Sequence, residues 1–78
     1  MNYETEAQKT KETLIQFFLQ NKENPLLSNF VTRMFQPEGL TVGSHTFRCM
    51  GRGIVDENGR FIFNGDIEDF FEKIVGGG

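Results

Sequence analysis

The sequence predicts an α+β fold: two N-terminal helices, a small antiparallel meander over about residues 40–64, and a C-terminal helix, with the helices covering one face of the sheet. Three observations carry that expectation. Apolar residues recur at helical spacing up to residue 35 and again after residue 66. Between those stretches the pattern shifts to period two and is broken by glycines. Asn58-Gly59, set between two apolar runs, is a strong hairpin signal.

Residues 4–21 read as the first helix, with apolar or small residues at Tyr3, Ala7, Thr10, Leu14, Phe17 and Phe18. Glu4 and Glu6 favour the positive end of its dipole. Leu14 to Leu19 is apolar on more than one side, which suits contact with more than one neighbour. Asn24-Pro25 reads as N-cap and first position of a second helix, because proline there gives up no needed hydrogen bond. Leu26, Phe30 and Met34 form one column of that helix, and Leu27, Val31 and Phe35 the next. Pro37 and Gly39 end it.

Leu40-Thr41-Val42 reads as a short strand and Gly43-Ser44 as a turn. Thr46 to Val55 reads as one strand, with Phe47 and Cys49 on one side and Arg48, Met50, Arg52 and Ile54 on the other. A two-residue turn at Asn58-Gly59 would pair Glu57 with Arg60, Val55 with Ile62 and Ile54 with Phe63. Asp66 is the expected cap of the last helix, Glu68 and Asp69 suit its first turn, and Gly76 its end. Ile67, Phe70, Phe71, Ile74 and Val75 form its apolar stripe. Residues 1–75 are therefore expected to be a single small domain and 76–78 a flexible glycine tail.

At 78 residues the chain can build one modest core, and chains of this size usually draw on disulfides, metals, dense packing or oligomerisation. Cys49 is the only cysteine and His45 the only histidine, so neither an internal disulfide nor a metal cluster is expected. Nine phenylalanines make dense aromatic packing available, and self-association is the other expected aid. The lone cysteine fits a reducing compartment, and the polar start lacks a secretory pattern, so a cytoplasmic location is expected. No apolar run approaches the length of a membrane span.

Charge is uneven along the chain. Residues 1–25 carry four acids and three bases. Residues 26–55 carry Arg33, Arg48 and Arg52 against Glu38. Residues 56–78 carry six acids against Arg60 and Lys73. A basic middle and an acidic end can attract each other across a dimer. The clear basic excess of a nucleic-acid binder is missing, so no nucleic-acid partner is expected.

No catalytic constellation emerges. His45 and Cys49 lie four apart on a strand, about 13 Å along it, too far for direct contact. Cys49 reads as a small buried apolar residue. Asp56 and Glu57 fall on a hairpin tip where exposure gives them ordinary acidity, and Asp66, Glu68 and Asp69 are explained by capping. Gly51-Arg52-Gly53 lacks the lysine, hydroxyl residue and helix of a phosphate loop. No catalytic residue, cofactor or metal is assigned, and the chain is not expected to be an enzyme. Arg48, Met50 and Arg52 share a strand face in this reading and are the candidate partner-binding residues, two arginines around a methionine being suited to an acidic or apolar partner.

Three resemblances bear on function. The terminal Gly76-Gly77-Gly78 resembles the tails of ubiquitin-like sulfur carriers, which implies a carboxylate activated by adenylation. Those carriers enter the tail from a strand, whereas residues 67–75 read as a helix. Gly53 to Phe63, with its Asp56-Glu57-Asn58-Gly59-Arg60 turn, resembles the hairpin unit of WG-repeat proteins, here present once rather than in an array. The first helix together with Asp66-Ile67-Glu68-Asp69-Phe70-Phe71 is similar to the opening of NTF2-like domains, which are longer and hold a ligand pocket in a curved sheet. The leading expectation is a non-catalytic protein-interaction or assembly module, a regulator or inhibitor acting on a protein partner or on itself as a homodimer. A di-glycine carrier and a small-ligand domain, with Cys49, His45 and Arg52 as its polar groups, are the alternatives.

Overall fold

A computed structural model describes the backbone of residues 3–75 and the side chains of residues 6–73. The chain runs α1 (Tyr3–Gln20), α2 (Leu27–Met34), β1 (Leu40–Val42), β2 (His45–Met50), β3 (Gly53–Val55), β4 (Phe61–Asn64) and α3 (Ile67–Phe70), which passes directly into a π-helical turn over Phe71–Val75. The strands form one antiparallel sheet in the order β1-β2-β3-β4, so the fold is the α+β meander that the sequence predicts. The expectations for Gly76 to Gly78, whether as C-cap, flexible tail or activated terminus, lie outside the described residues.

The core lies between the helices and one face of the sheet. Leu14, Ile15 and Phe18 from α1, Met34 from α2, Leu40, Phe47, Ile54 and Ile62 from the strands, and Phe70 from α3 are all buried there. Phe18 is its pivot. The consecutive rings of Phe70 and Phe71 both meet it edge-on, with centroids 6.1 and 5.0 Å away. Edge-to-face contacts of this kind add to plain apolar burial. Asp66 caps α3 as anticipated, its Oδ1 accepting the Asp69 N–H at 2.8 Å.

Several local expectations need correction. The second helix starts two residues later than Asn24-Pro25 implied, because the Asn24 side chain accepts from the Leu26 N–H and closes a turn ahead of the helix. Its two columns are also less buried than their spacing suggests, since Leu26 and Phe35 are 53% and 61% exposed.

The long strand Thr46–Val55 is in fact two strands. Gly51-Arg52 forms a two-residue loop, with Gly51 at a φ of 50° and Met50 opposite Gly53. Glycine at the first loop position favours that reversal over continued extension. The reversal moves Ile54 to the core face, opposite Cys49, and takes Arg52 off the strand altogether.

The β3–β4 connection is longer than a two-residue Asn58-Gly59 turn. The Asp56 N–H donates to the Arg60 carbonyl and the Gly59 N–H to the Asp56 carbonyl, each at 3.0 Å, with Gly59 alone at positive φ. That is a three-residue loop with a bulge. Ile54 does pair with Phe63, but Val55 faces Phe61 rather than Ile62. The expected Glu57–Arg60 pair does not form. Arg60 pairs with Asp56 and Glu57 with His45.

Candidate functional site

The helices pack on one side of the sheet, and on the other side Val55 is buried among sheet side chains while Met50 and Phe61 are about half exposed. Thr46, Arg48 and Met50 point there from β2, as the Thr41–Thr46 hydroxyl contact at 3.3 Å confirms for one end. Arg48 is opposite Val55, and Val55 is opposite Phe61. A β-carbon added to Gly53 would meet the Phe61 ring and the Phe63 carbonyl, so Phe61 lies over a place that only glycine leaves open. Met50 is 50% exposed and Phe61 47%. They are the large apolar side chains that this face turns toward solvent.

Arg48 is held in place rather than free. Its stem packs on Gly39, where a β-carbon would strike it, and its Nη1 donates to the Pro37 carbonyl at 3.3 Å. Its Nε is buried without a hydrogen-bond partner. Arg52 sits exposed in the Gly51-Arg52 turn, and its carbonyl accepts the Gly65 N–H at 2.8 Å. The three residues singled out from the sequence therefore divide: Arg48 and Met50 share a strand face, and Arg52 stands at the turn beyond Met50. Neither arginine makes an ion pair among the described residues. Phe61 escaped the sequence reading because the bulge that turns it onto this face was not visible in the alternation of its neighbours.

The opposite end of the sheet is polar and internally bonded. Asp56 is only 1% exposed, contrary to its expected place on a solvated tip. Its Oδ1 accepts the N–H groups of Asn58 and Arg60 at 2.9 and 3.0 Å, and its Oδ2 accepts from the Arg60 guanidinium at 3.3 Å. An Asp three residues before a glycine is a frequent opener of such turns, and that spacing was the available signal. Beside it, Glu57 accepts from His45 Nδ1 at 3.0 Å and from the Thr46 N–H at 3.2 Å. Partial burial works against the Glu57 carboxylate, but its own N–H, His45 and Thr46 together outweigh that and lower its pKa. Glu6, Lys9, Thr10, His45, Glu57, Asn58 and Arg60 line an open groove of about 300 Å³ here. A second groove, of about 380 Å³, runs between α1 and Val42.

Cys49 faces the core side and is half-buried against it. Burial, and then the charge of Asp66, push its thiol up to about 11, which makes it a poor nucleophile at neutral pH. His45 turns to Glu57, and Cys49 and Arg52 line neither of the two grooves, so the polar groups considered for a ligand pocket are not brought together. Among the described residues no three His, Cys, Asp or Glu side chains gather as metal ligands do, and no helix is long and apolar enough to cross a membrane. No family model, curated protein or solved structure matches the chain.

Proposed function

We propose that the chain is a non-catalytic interaction module, a small regulator or assembly factor that binds a protein through the sheet face turned away from its helical core. The observation that supports this most is the pairing of Met50 and Phe61, both about half exposed on that face and bordered by two arginines that make no ion pair among the described residues. A compact apolar centre with arginine at its rim is the usual composition of a protein interface. The polar end supports catalysis less well, because its carboxylates and its histidine are already occupied by one another. A single cysteine with a poorly reactive thiol is compatible with a reducing, cytoplasmic setting.

The test compares proteins retained from cell extract by the immobilised full chain and by a Met50→Ser, Phe61→Ser variant of unchanged thermal stability. Retained proteins that disappear with the variant support the reading. The same proteins in the same amounts would sink it.

A further inference from the structure

Resting on that reading of the sheet face, we propose that its occupant is an acidic segment of another protein, with apolar side chains for Met50 and Phe61 and carboxylates for Arg48 and Arg52.

The apolar centre is continuous. Met50 is opposite Gly53, and the Phe61 ring comes within 3.1 Å of where a Gly53 β-carbon would stand. The ring therefore fills the gap that glycine leaves next to Met50. Val55, two residues along the same strand, is buried at its side. Arg48 adjoins this centre twice, standing two residues before Met50 on β2 and opposite Val55 on β3.

The charge of the sheet has one sign. Its four strands contain no aspartate or glutamate, and Arg48 is their one arginine or lysine. Arg52 adds a second positive charge in the turn after Met50. Neither makes an ion pair among the described residues, and this includes Arg48 with Glu38, the neighbour of the Pro37 carbonyl that it bonds. The nearest acids by chain order are engaged or face the other way. Asp56 and Glu57 at the opposite turn bond to Arg60 and His45, and Asp66 opens α3 on the helix-covered side, where its charge acts on core-facing Cys49. Exposed charges are screened beyond about 8 Å at physiological ionic strength, so a partner meets these local arginines rather than the net charge of −3.

Arg48 also lacks the acceptor that a guanidinium bonds most strongly, a carboxylate. Its Nη1 reaches only a backbone carbonyl and its Nε has no partner. The packing of its stem on Gly39 fixes the head before a partner arrives, which lowers the entropic cost of binding. A methionine and phenylalanine centre with two arginines suits a peptide better than a nucleic acid, which needs a broad basic surface.

The experiment selects a random library of short displayed peptides on the immobilised full chain, then measures the selected peptides by fluorescence anisotropy. Carboxylates flanking apolar or aromatic residues are expected, with binding that weakens as salt rises. Arg52→Glu, at an exposed position, and Arg48→Met, which keeps an apolar stem on Gly39, should each lower affinity about tenfold or more, with the fold checked by circular dichroism. Arg33→Glu makes the same change in net charge as Arg52→Glu from an exposed position on α2, and should leave binding as it is. Failure to select any peptide, an equal loss with Arg33→Glu, or displacement of the peptides by oligothymidylate overturns the proposal. So does a dimer in sedimentation equilibrium that Met50→Ser, Phe61→Ser abolishes, which would give the face to a second copy. Selected peptides without acids that still depend on Met50 and Phe61 overturn only the acidic partner and leave the binding face standing.

Discussion

The two ends of the sheet handle charge in opposite ways. At the β3–β4 turn, Asp56, Arg60, Glu57 and His45 bond to one another, and the carboxylate at the centre is closed to water. At the Gly51-Arg52 turn, Arg52 makes no ion pair among the described residues, and Met50 beside it lies half open to solvent. The first end holds the fold together. The second is free to meet something else, since a group already paired inside the chain has little left to offer a partner. Charged residues in a small domain are thus informative according to whether they are answered internally, not according to their number.

The contrast predicts stability effects of graded size. Asp56→Ala should cost about 3 kcal/mol in urea unfolding, because it leaves the Arg60 guanidinium and two backbone N–H groups without their acceptor. A loss under about 1 kcal/mol would mean that the turn does not depend on its buried carboxylate.

Glu57 gives a smaller, pH-dependent effect. Its carboxylate is bound more favourably in the folded chain, so its contribution is present above the ordinary carboxylate value of 4.5 and fades as pH falls through the lowered folded value. Glu57→Gln should remove that part of the acid sensitivity while changing stability at neutral pH by less than about 1 kcal/mol, since the pair is largely exposed. Melting temperatures across the acid range, wild type against variant, measure it.

Arg52→Ala should be the quietest of the three, within about 0.5 kcal/mol of wild type by the same unfolding experiment. A large loss there would show that the bare end is structural after all.

How much of the fold was legible in the sequence depended on the range of the interactions involved. The helices, the Leu40–Val42 strand and the Asp66 cap follow from local spacing, and they stand close to where that spacing puts them. The errors fall where one residue changes the count. Gly51 reverses a strand that alternation alone would continue, and Gly59 with Asp56 widens a turn that Asn58-Gly59 would make tight. The Gly51 reversal exchanges the two faces of the strand beyond it, whereas the widened turn moves Phe61 opposite Val55 and the bulge then restores the expected Ile54–Phe63 pairing. For these reasons Ile54 entered the core, Arg52 left the strand face, and Phe61 was overlooked. Arg48 and Met50 could be placed together because they lie on β2, ahead of the first such shift.

The π-helical turn at Phe71–Val75 has a consequence of its own. It continues α3 without a break, and at that junction two adjacent rings are both spent on Phe18. A wide turn accommodates one residue more than ordinary winding would, much as a spare link lets a chain close around a larger peg. Both rings stand at or before the first residue of that segment, so removing one residue after Phe71 would rewind the coil beyond them rather than move them off Phe18. The grip on Phe18 is therefore fixed by the Phe70-Phe71 pair itself and not by the length of the coil that follows it.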